Sequence, residues 1–423
     1  MSPRDLLLGS FQAALAAADP LKIVPQHMPK PPKGRTLVVG AGKAAASMAL
    51  AVEQNWPGKA PLDGLVITRY QHGLLTNRIN VIEAAHPVPD EHGEMATHEI
   101  LKQVRALTPN DLLLVLLSGG GSALLSLPAE GIGMEELRAT TRALLKSGAP
   151  IQEMNTVRKH LSAIQGGQLA AAARSPVLAL IISDVTGDDP THIASGPCVA
   201  DPTTYQDALD ILRRYAVDAP RAVLDHLAQG AKKKIAETPK PGNRVFSRVE
   251  NRVIATAQQS LEAAAGFFTK EGIRAAILGD SVTGEASDVA RVYGALARQV
   301  KHRGQPWAPP VALISGGETT VTVRGKGRGG RCAEFLLALG VNLAGADGIH
   351  ALACDTDGID GSEDNAGALL APDSLKRAEK KKLDAASRLN DNDAYGFFSG
   401  LGDLVVTGPT RTNVNDYRAI LVL

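Results

Sequence analysis

Short aliphatic runs recur along this chain, most of them without the in–out alternation of a strand that has one wet face. Runs of that kind suit strands covered on both sides, as in a parallel sheet. The pattern predicts strands at Thr36–Val39, Gly64–Thr68, Asn80–Glu83, Leu112–Leu117 and Val177–Ile182. It continues through Val253–Thr256, Arg274–Leu278, Val311–Ile314, His350–Ala353, Leu404–Val406 and Ala419–Val422. Between them, Ala- and Leu-rich stretches predict helices at Ala44–Gln54, Glu91–Ala106, Met134–Ser147, Gln165–Ala173, Tyr205–Tyr215, Ala257–Glu271, Glu285–Arg303 and Cys332–Ala344.

Strands alternating with helices predict an α/β fold. With 423 residues the chain is too long for one core, so two domains are expected. Gln229–Arg248 is poor in apolar residues and carries a Lys run and a Pro/Lys cluster, which marks a linker. The expected division is therefore 1–240 and 241–423. Each domain is expected to hold a mostly parallel sheet flanked by helices, with a cleft between them, and the last strands are free to pack back on the first domain.

Composition narrows the function. The chain has 45 Lys and Arg against 44 Asp and Glu, and only 4% aromatic residues. That balance argues against nucleic-acid and membrane-surface partners, and the scarcity of rings against base stacking. Cys198, Cys332 and Cys354 lie far apart and form no CxxC pair, which fits a reducing compartment and gives no zinc signature. The N-terminal stretch lacks a basic segment with a cleavage site, and no apolar run reaches about 20 residues. The expectation is a cytoplasmic protein acting on small molecules; the sequence sets no oligomeric state.

The chemistry concentrates where strands end. Val177–Ile182 runs into Asp184, Asp188 and Asp189, and His350–Ala353 into Asp355, Asp357 and Asp360. So many carboxylates after buried strands call for a cation, most simply a divalent metal carrying phosphates. Glycine-rich turns follow other strands. Gly40-Ala41-Gly42-Lys43 opens a helix, Ser118-Gly119-Gly120-Gly121-Ser122 follows an all-aliphatic strand, and Ser315-Gly316-Gly317-Glu318 repeats that form with an acid. Glycine lets backbone amides close on an anion. A fourth loop, Gly325–Arg331, adds cations just before a helix. Asn155, Arg158 and Lys159 are candidates to hold a carboxylate or phosphate of the substrate. Metal-binding acids beside phosphate-binding glycines and cations are what phosphoryl transfer requires. The competing reading rests on Gly40-x-Gly42-x-x-Ala45, which matches a dinucleotide-binding turn. Against it, the next strand ends in Thr68-Arg69 and offers no ribose-binding acid.

Eight blocks in order carry a family resemblance: VVGAGKAA (38–45), LLSGGGSALL (116–125), NTVRKHLSAIQGGQLA (155–170), ISDVTGDDPTHIASGP (182–197), ISGGETTVTV (314–323), GRGGR (327–331), DTDGIDG (355–361) and VVTGPTRTNVND (405–416). The chain resembles the glycerate 2-kinases of the MOFRL type, a family also labelled hydroxypyruvate reductase. The resemblance implies two α/β domains and an ATP- and Mg2+-dependent kinase that converts D-glycerate to 2-phosphoglycerate. It implies that Lys43 and Arg331 stabilise the transferred phosphoryl group. Chemistry alone assigns Asp184, Asp188, Asp355 and Asp357 to the metal, with Asp189 as the candidate base. The turns at Gly40, Gly42, Ser118–Ser122 and Gly316–Glu318 are assigned to nucleotide phosphates. The chain departs from the family at Cys332-Ala333, where Asn-Gln is usual, at Ala394 for serine and at Arg411 for glycine. These departures bear on the substrate, so a kinase for another small hydroxy acid stands beside glycerate. An NAD(P)H-dependent reductase and a sensor without turnover complete the alternatives.

Overall fold

Strands β1 (Thr36–Ala41), β2 (Leu62–Arg69), β3 (Ile79–Ala84), β4 (Leu112–Leu117), β5 (Val177–Ile182) and β6 (Val249–Ala255) form one sheet in the order β3-β2-β1-β4-β5-β6. Every pairing from β3 through β5 is parallel. All residues of β1, β4 and β5 are buried, which is why their sequences show no alternation. The chain builds outward from β1 to β3, then returns to lay β4 on the other side of β1. That reversal opens a crevice at the carboxyl ends of β1 and β4, where open α/β sheets bind ligands.

The computed structural model describes residues 1–423, which divide into Pro20–Ile254 and a second unit made of Met1–Asp19 with Ala255–Leu423. The second unit holds β7 (Arg274–Gly279), β8 (Gly284–Glu285), β9 (Val311–Ser315), β10 (Thr319–Thr320), β11 (Ile349–Asp355), β12 (Gly367–Leu370), β13 (Leu404–Val405) and β14 (Asp416–Val422). Its main sheet runs β13-β12-β11-β14-β9-β7, and β8 pairs with β10 as a small ribbon. The ribbon is parallel, and within the main sheet only β7 and β9 pair in parallel, the other neighbours being antiparallel. The α/β fold is as expected, but this second sheet is mixed, because the wholly buried C-terminal strand β14 runs back between β11 and β9.

The division of the chain differs from the one expected at residue 240. Within the supposed linker, Thr238 donates to Asp201 at 3.0 Å and the Asp201 amide donates to the Pro239 carbonyl at 2.9 Å. Those bonds, and β6 at the sheet edge, keep the chain in the first unit to Ile254. The second unit also recruits the N-terminus. Ser2 and Asp5 cap the helix Pro3–Ala17 reciprocally. Its Leu6, Leu7, Phe11 and Ala14 pack with Leu261, Phe268 and Tyr417, and the Tyr417 hydroxyl donates to Ser10 at 2.8 Å. Thus the final strand stays in its own unit and the first helix joins it there. No single helix is long and apolar enough to cross a membrane.

Candidate active site

At the carboxyl ends of β1 and β4 the two glycine turns take different roles. Gly40 lies inside β1, and a Cβ there would stand 2.0 Å from the Leu116 carbonyl oxygen; the residue is glycine so that the strands can approach. The Lys43 amide donates to the Gly119 carbonyl at 2.8 Å, and the Ala44 amide to the buried Ser118 hydroxyl at 3.0 Å. The Gly42 amide donates to Ile67 at 3.1 Å. The amides that a dinucleotide fold turns toward pyrophosphate are therefore spent on the neighbouring turn. The second turn differs. Gly120 adopts a left-handed φ of 81°, and no protein acceptor receives the amides of Gly119, Gly120 or Ser122. Clustered outward amides of this kind form an anion nest. Gly121 is the packing residue of the turn, with Ala194 Cβ 2.6 Å from where its own would be.

A cationic wall stands beside the nest. The helix Ile151–His160 was not foreseen, since its polar sequence has little apolar face, yet it decides which side chains face where. Successive residues on a helix point about 100° apart. Arg158 lines a narrow cleft with Ser122, Ser126, Gln165, Pro87 and Pro89. Lys159, one residue on, is buried and lies 3.6 Å from Asp201, so the two expected substrate cations part company. Arg158 Nη1 donates to Asn155 Oδ1 at 3.3 Å, one turn earlier on the same face. Burial lowers the pKa of Arg158, and no carboxylate opposes that shift. Burial also lowers Lys159, although Asp201 partly offsets it.

Asn155 extends the network. It donates to the His192 carbonyl at 3.4 Å and accepts from the Ser195 hydroxyl, which lies 2.8 Å from the Ser122 hydroxyl. The loop bearing Ser195 is strained: Ala194 and Ser195 are buried with φ of 50° and 58°. Each such residue costs about 1–3 kcal/mol. The strain persists because Ser195 and Gly196 carbonyls accept the amides of Gly166 and Gly167 at 3.0 and 2.8 Å.

The acids after β5 lie on this loop. Asp184 and Asp188 are half-buried, and Asp189 is exposed. Burial acts to raise the Asp189 carboxyl, but hydrogen bonds from Thr191, then His192 and Lys159, outweigh it and hold the group below its ordinary value. No three His, Cys, Asp or Glu side chains converge as a metal cage. Mg2+ needs no such cage, since it binds through one or two carboxylates and completes its shell with water and phosphate oxygens. Asp184 and Asp188 fit that requirement in kind.

In the second unit the expected site residues meet each other instead of open space. Arg331, at the start of the helix Arg331–Leu343, contacts Glu318, Asp355 and Asp416, each at 2.8 Å. Burial opposes its charge, but these carboxylates raise its pKa far above the ordinary value. The other Asp355 oxygen accepts the Asp357 amide at 3.0 Å, and Asp357 accepts the Ile359 amide at 2.8 Å. Asp355 is thus paired with Arg331, and one Asp357 oxygen is taken up by its own turn. Gly316 and Gly317 are likewise occupied: the Gly316 amide donates to Gly279 at 2.9 Å, and a Cβ on Gly317 would meet Val282 at 2.3 Å.

Asp360 explains one departure from the family pattern. It is fully buried and accepts the amides of Cys332 and Ala333 at 2.9 and 2.8 Å, capping their helix from a distant loop. Burial raises its carboxyl to about 6. The Cys332 and Ala333 side chains lie in the hydrophobic core, so substitution there changes packing. The basic loop before Arg331 is tied down by protein acceptors, with the amides of Lys326 and Gly327 bonded to Asp391 at 3.0 and 2.8 Å. Arg411 sits in a turn at φ 59°, where glycine is unstrained.

Sequence reasoning overlooked His86, Ser195 and Asp201. A histidine flanked by Ala85 and Pro87 in a loop after a strand offered a weak signal; Ser195 lies in the 182–197 block without a role of its own, and Asp201 offered none.

The chain resembles known proteins over its full length. Residues 6–228 match a domain family of unknown function, DUF4147, and residues 311–416 match the MOFRL family. A relative from Agrobacterium vitis named putative hydroxypyruvate reductase is 50% identical, covering 100% of this chain and 95% of its own. The glycerate 2-kinase of Pyrococcus horikoshii is 40% identical, covering 100% of this chain and 98% of its own. The crystal structure of a glycerate kinase from Thermotoga maritima superimposes with a TM-score of 0.89 at 37% identity, over 100% of both chains.

Proposed function

The chain belongs to the glycerate 2-kinases of the MOFRL type, and from that premise we propose that it transfers the γ-phosphoryl group of ATP to the 2-hydroxyl of D-glycerate. The observation that carries the reading is the pairing of a half-buried arginine that has no acid partner with the anion nest at Gly119–Ser122, whose Ser122 lines the same cleft. Arg158 takes the substrate carboxylate at the cleft it lines with Ser122, Ser126 and Gln165. The amides of Gly119, Gly120 and Ser122 receive phosphate oxygens, and Lys43 supplies a point charge beside them.

Asp184 and Asp188 would hold Mg2+, which neutralises phosphate charge when bound. Asn155 and Ser195 fix the Arg158 fork and the Ser122 hydroxyl, so the polar wall is in place before substrate arrives. In the second unit, Arg331 orders Glu318, Asp355 and Asp416 into one cluster. Three free, buried cysteines accord with a cytoplasmic enzyme.

The reductase reading loses its motif, because the Lys43 and Ala44 amides are bonded to Gly119 and Ser118. The test is incubation with ATP, Mg2+ and D-glycerate, with 2- and 3-phosphoglycerate resolved by NMR and Lys43→Ala run beside the wild type. Formation of 2-phosphoglycerate by the wild type and its loss in the variant support the reading. No phosphorylated product, with NADH consumed on hydroxypyruvate, would overturn it.

A further inference from the structure

Asp201 is fully buried against the helix Ile151–His160, and both of its carboxylate oxygens are engaged. Oδ1 accepts from the Thr203 amide and hydroxyl at 3.1 and 2.7 Å, and stands 3.6 Å from Lys159 Nζ. Oδ2 accepts from the Thr238 hydroxyl at 3.0 Å and stands 3.8 Å from His160 Nε2. Burial acts to raise this carboxyl, but Lys159, then the Thr203 bonds and His160, hold it below its ordinary value. It is therefore an anion facing a buried ammonium.

Two parts of the polar wall meet at this pair. On the helix, Asn155 and Arg158 are three positions apart and bond to each other at 3.3 Å, while Lys159 and His160 turn to Asp201 instead. The other part is the turn at Gly166, which has a left-handed φ of 60°. A Cβ there would stand 3.3 Å from Lys159 Cβ and 3.4 Å from Asp201 Oδ2. The Gly166 amide donates to the Ser195 carbonyl at 3.0 Å. One buried ion pair thus borders both the helix that carries Arg158 and the turn that holds the strained Ser195 loop.

From this geometry we propose that Asp201 is a positioning residue for substrate binding, holding Arg158 and Ser195 in place through Lys159 and Gly166; the inference rests on the kinase reading. Closed off from solvent, Asp201 does not touch substrate. Its effect passes through the helix. Lys159 and Arg158 are consecutive on one helix, so a change that turns one about the axis turns the other with it. An ammonium buried without its carboxylate is costly, and movement toward water relieves that cost. Such movement would carry Arg158 off the cleft and loosen the Gly166 turn beneath Ser195. The amides of Gly119 and Gly120, which follow β4, take no bond from either member of the pair, so phosphate binding is spared.

The experiment measures kcat and KM for D-glycerate and for ATP, with Mg2+ present, in wild type, Asp201→Asn, Lys159→Met and the double variant. Asparagine keeps an acceptor for Thr203 and removes the charge. Expected in either single variant is a rise of about 10- to 100-fold in the KM for D-glycerate, with the KM for ATP within about threefold of wild type. The double variant should lose no more than either single one, because neither charge is then stranded. A lowered melting temperature with both KM values within about threefold of an active wild type would make the pair purely structural and overturn the proposal. Losses that multiply in the double variant, or a KM for ATP that rises with that for D-glycerate, would overturn it as well. A wild type inert toward D-glycerate overturns the kinase reading itself, and the positioning role with it.

Discussion

Arg158 and Arg331 are both largely withdrawn from water, but their surroundings differ. The Arg158 guanidinium bonds to the neutral Asn155 amide at 3.3 Å and has no carboxylate near it. Arg331 is met by Glu318, Asp355 and Asp416, each at 2.8 Å. A half-buried cation without a counter-ion is unfavourable in the free protein, and an incoming anion would relieve that cost. A cation meeting three acids has its charge consumed, so its main effect is to hold the acids in place. The family resemblance implies phosphoryl stabilisation for Arg331; anion capture is the role proposed for Arg158.

The difference is tested most severely by removing the charges. Arg331→Met leaves buried Asp355 without its cation, while Asp416 keeps Arg418 and Glu318 is exposed, and should cost about 3–5 kcal/mol in denaturant unfolding. A loss under about 1 kcal/mol would mean that the cluster does not depend on it. Arg158→Met should leave stability level or slightly higher, because no partner is stranded. Its kcat/KM for D-glycerate should fall about 100-fold, equivalent to about 3 kcal/mol, with the KM for ATP unchanged. An equal fall for both substrates would place Arg158 on the phosphate instead.

Asp360 sharpens the contrast at the acidic end. Its carboxyl is raised to about 6, first by burial and further by Asp416, against the pull of the Cys332 and Ala333 amides and Arg331. The folded state therefore binds a proton that the unfolded state has released between about pH 4 and 6. Its contribution to stability falls as pH rises through that window. Asp360→Asn should flatten this slope in pH-dependent melting while keeping one acceptor. Asp360→Ala should lose the cap as well, about 1–2 kcal/mol. The smallest effect belongs to Arg411→Gly, which relieves a left-handed residue and should raise stability by less than about 1 kcal/mol, read as a small rise in melting temperature.

Much of this was legible in the sequence. The buried strands β1, β4 and β5 announced themselves as uninterrupted aliphatic runs, because a strand covered on both faces has no polar side to show. The Gly119–Ser122 turn and Arg158 were visible for a related reason: three glycines after such a strand, and a cation among donors, have local signatures. Helix Ile151–His160 was not, since its sequence is nearly all polar and only its packing makes it a helix.

Sequence alone thus determined the strand and helix succession, the α/β class, the family and the residue types that carry the chemistry, all of which depend on neighbours along the chain. Tertiary structure decided what each of those residues faces. It turned Lys159 to Asp201 and Arg158 to the cleft, closed the first glycine turn on Ser118, and surrounded Arg331 with acids. It also set Asp360 as a helix cap and brought His86 against Gly120. Those pairings join residues tens of positions apart, and the burial and charge that give each its role exist only once the chain has closed around it.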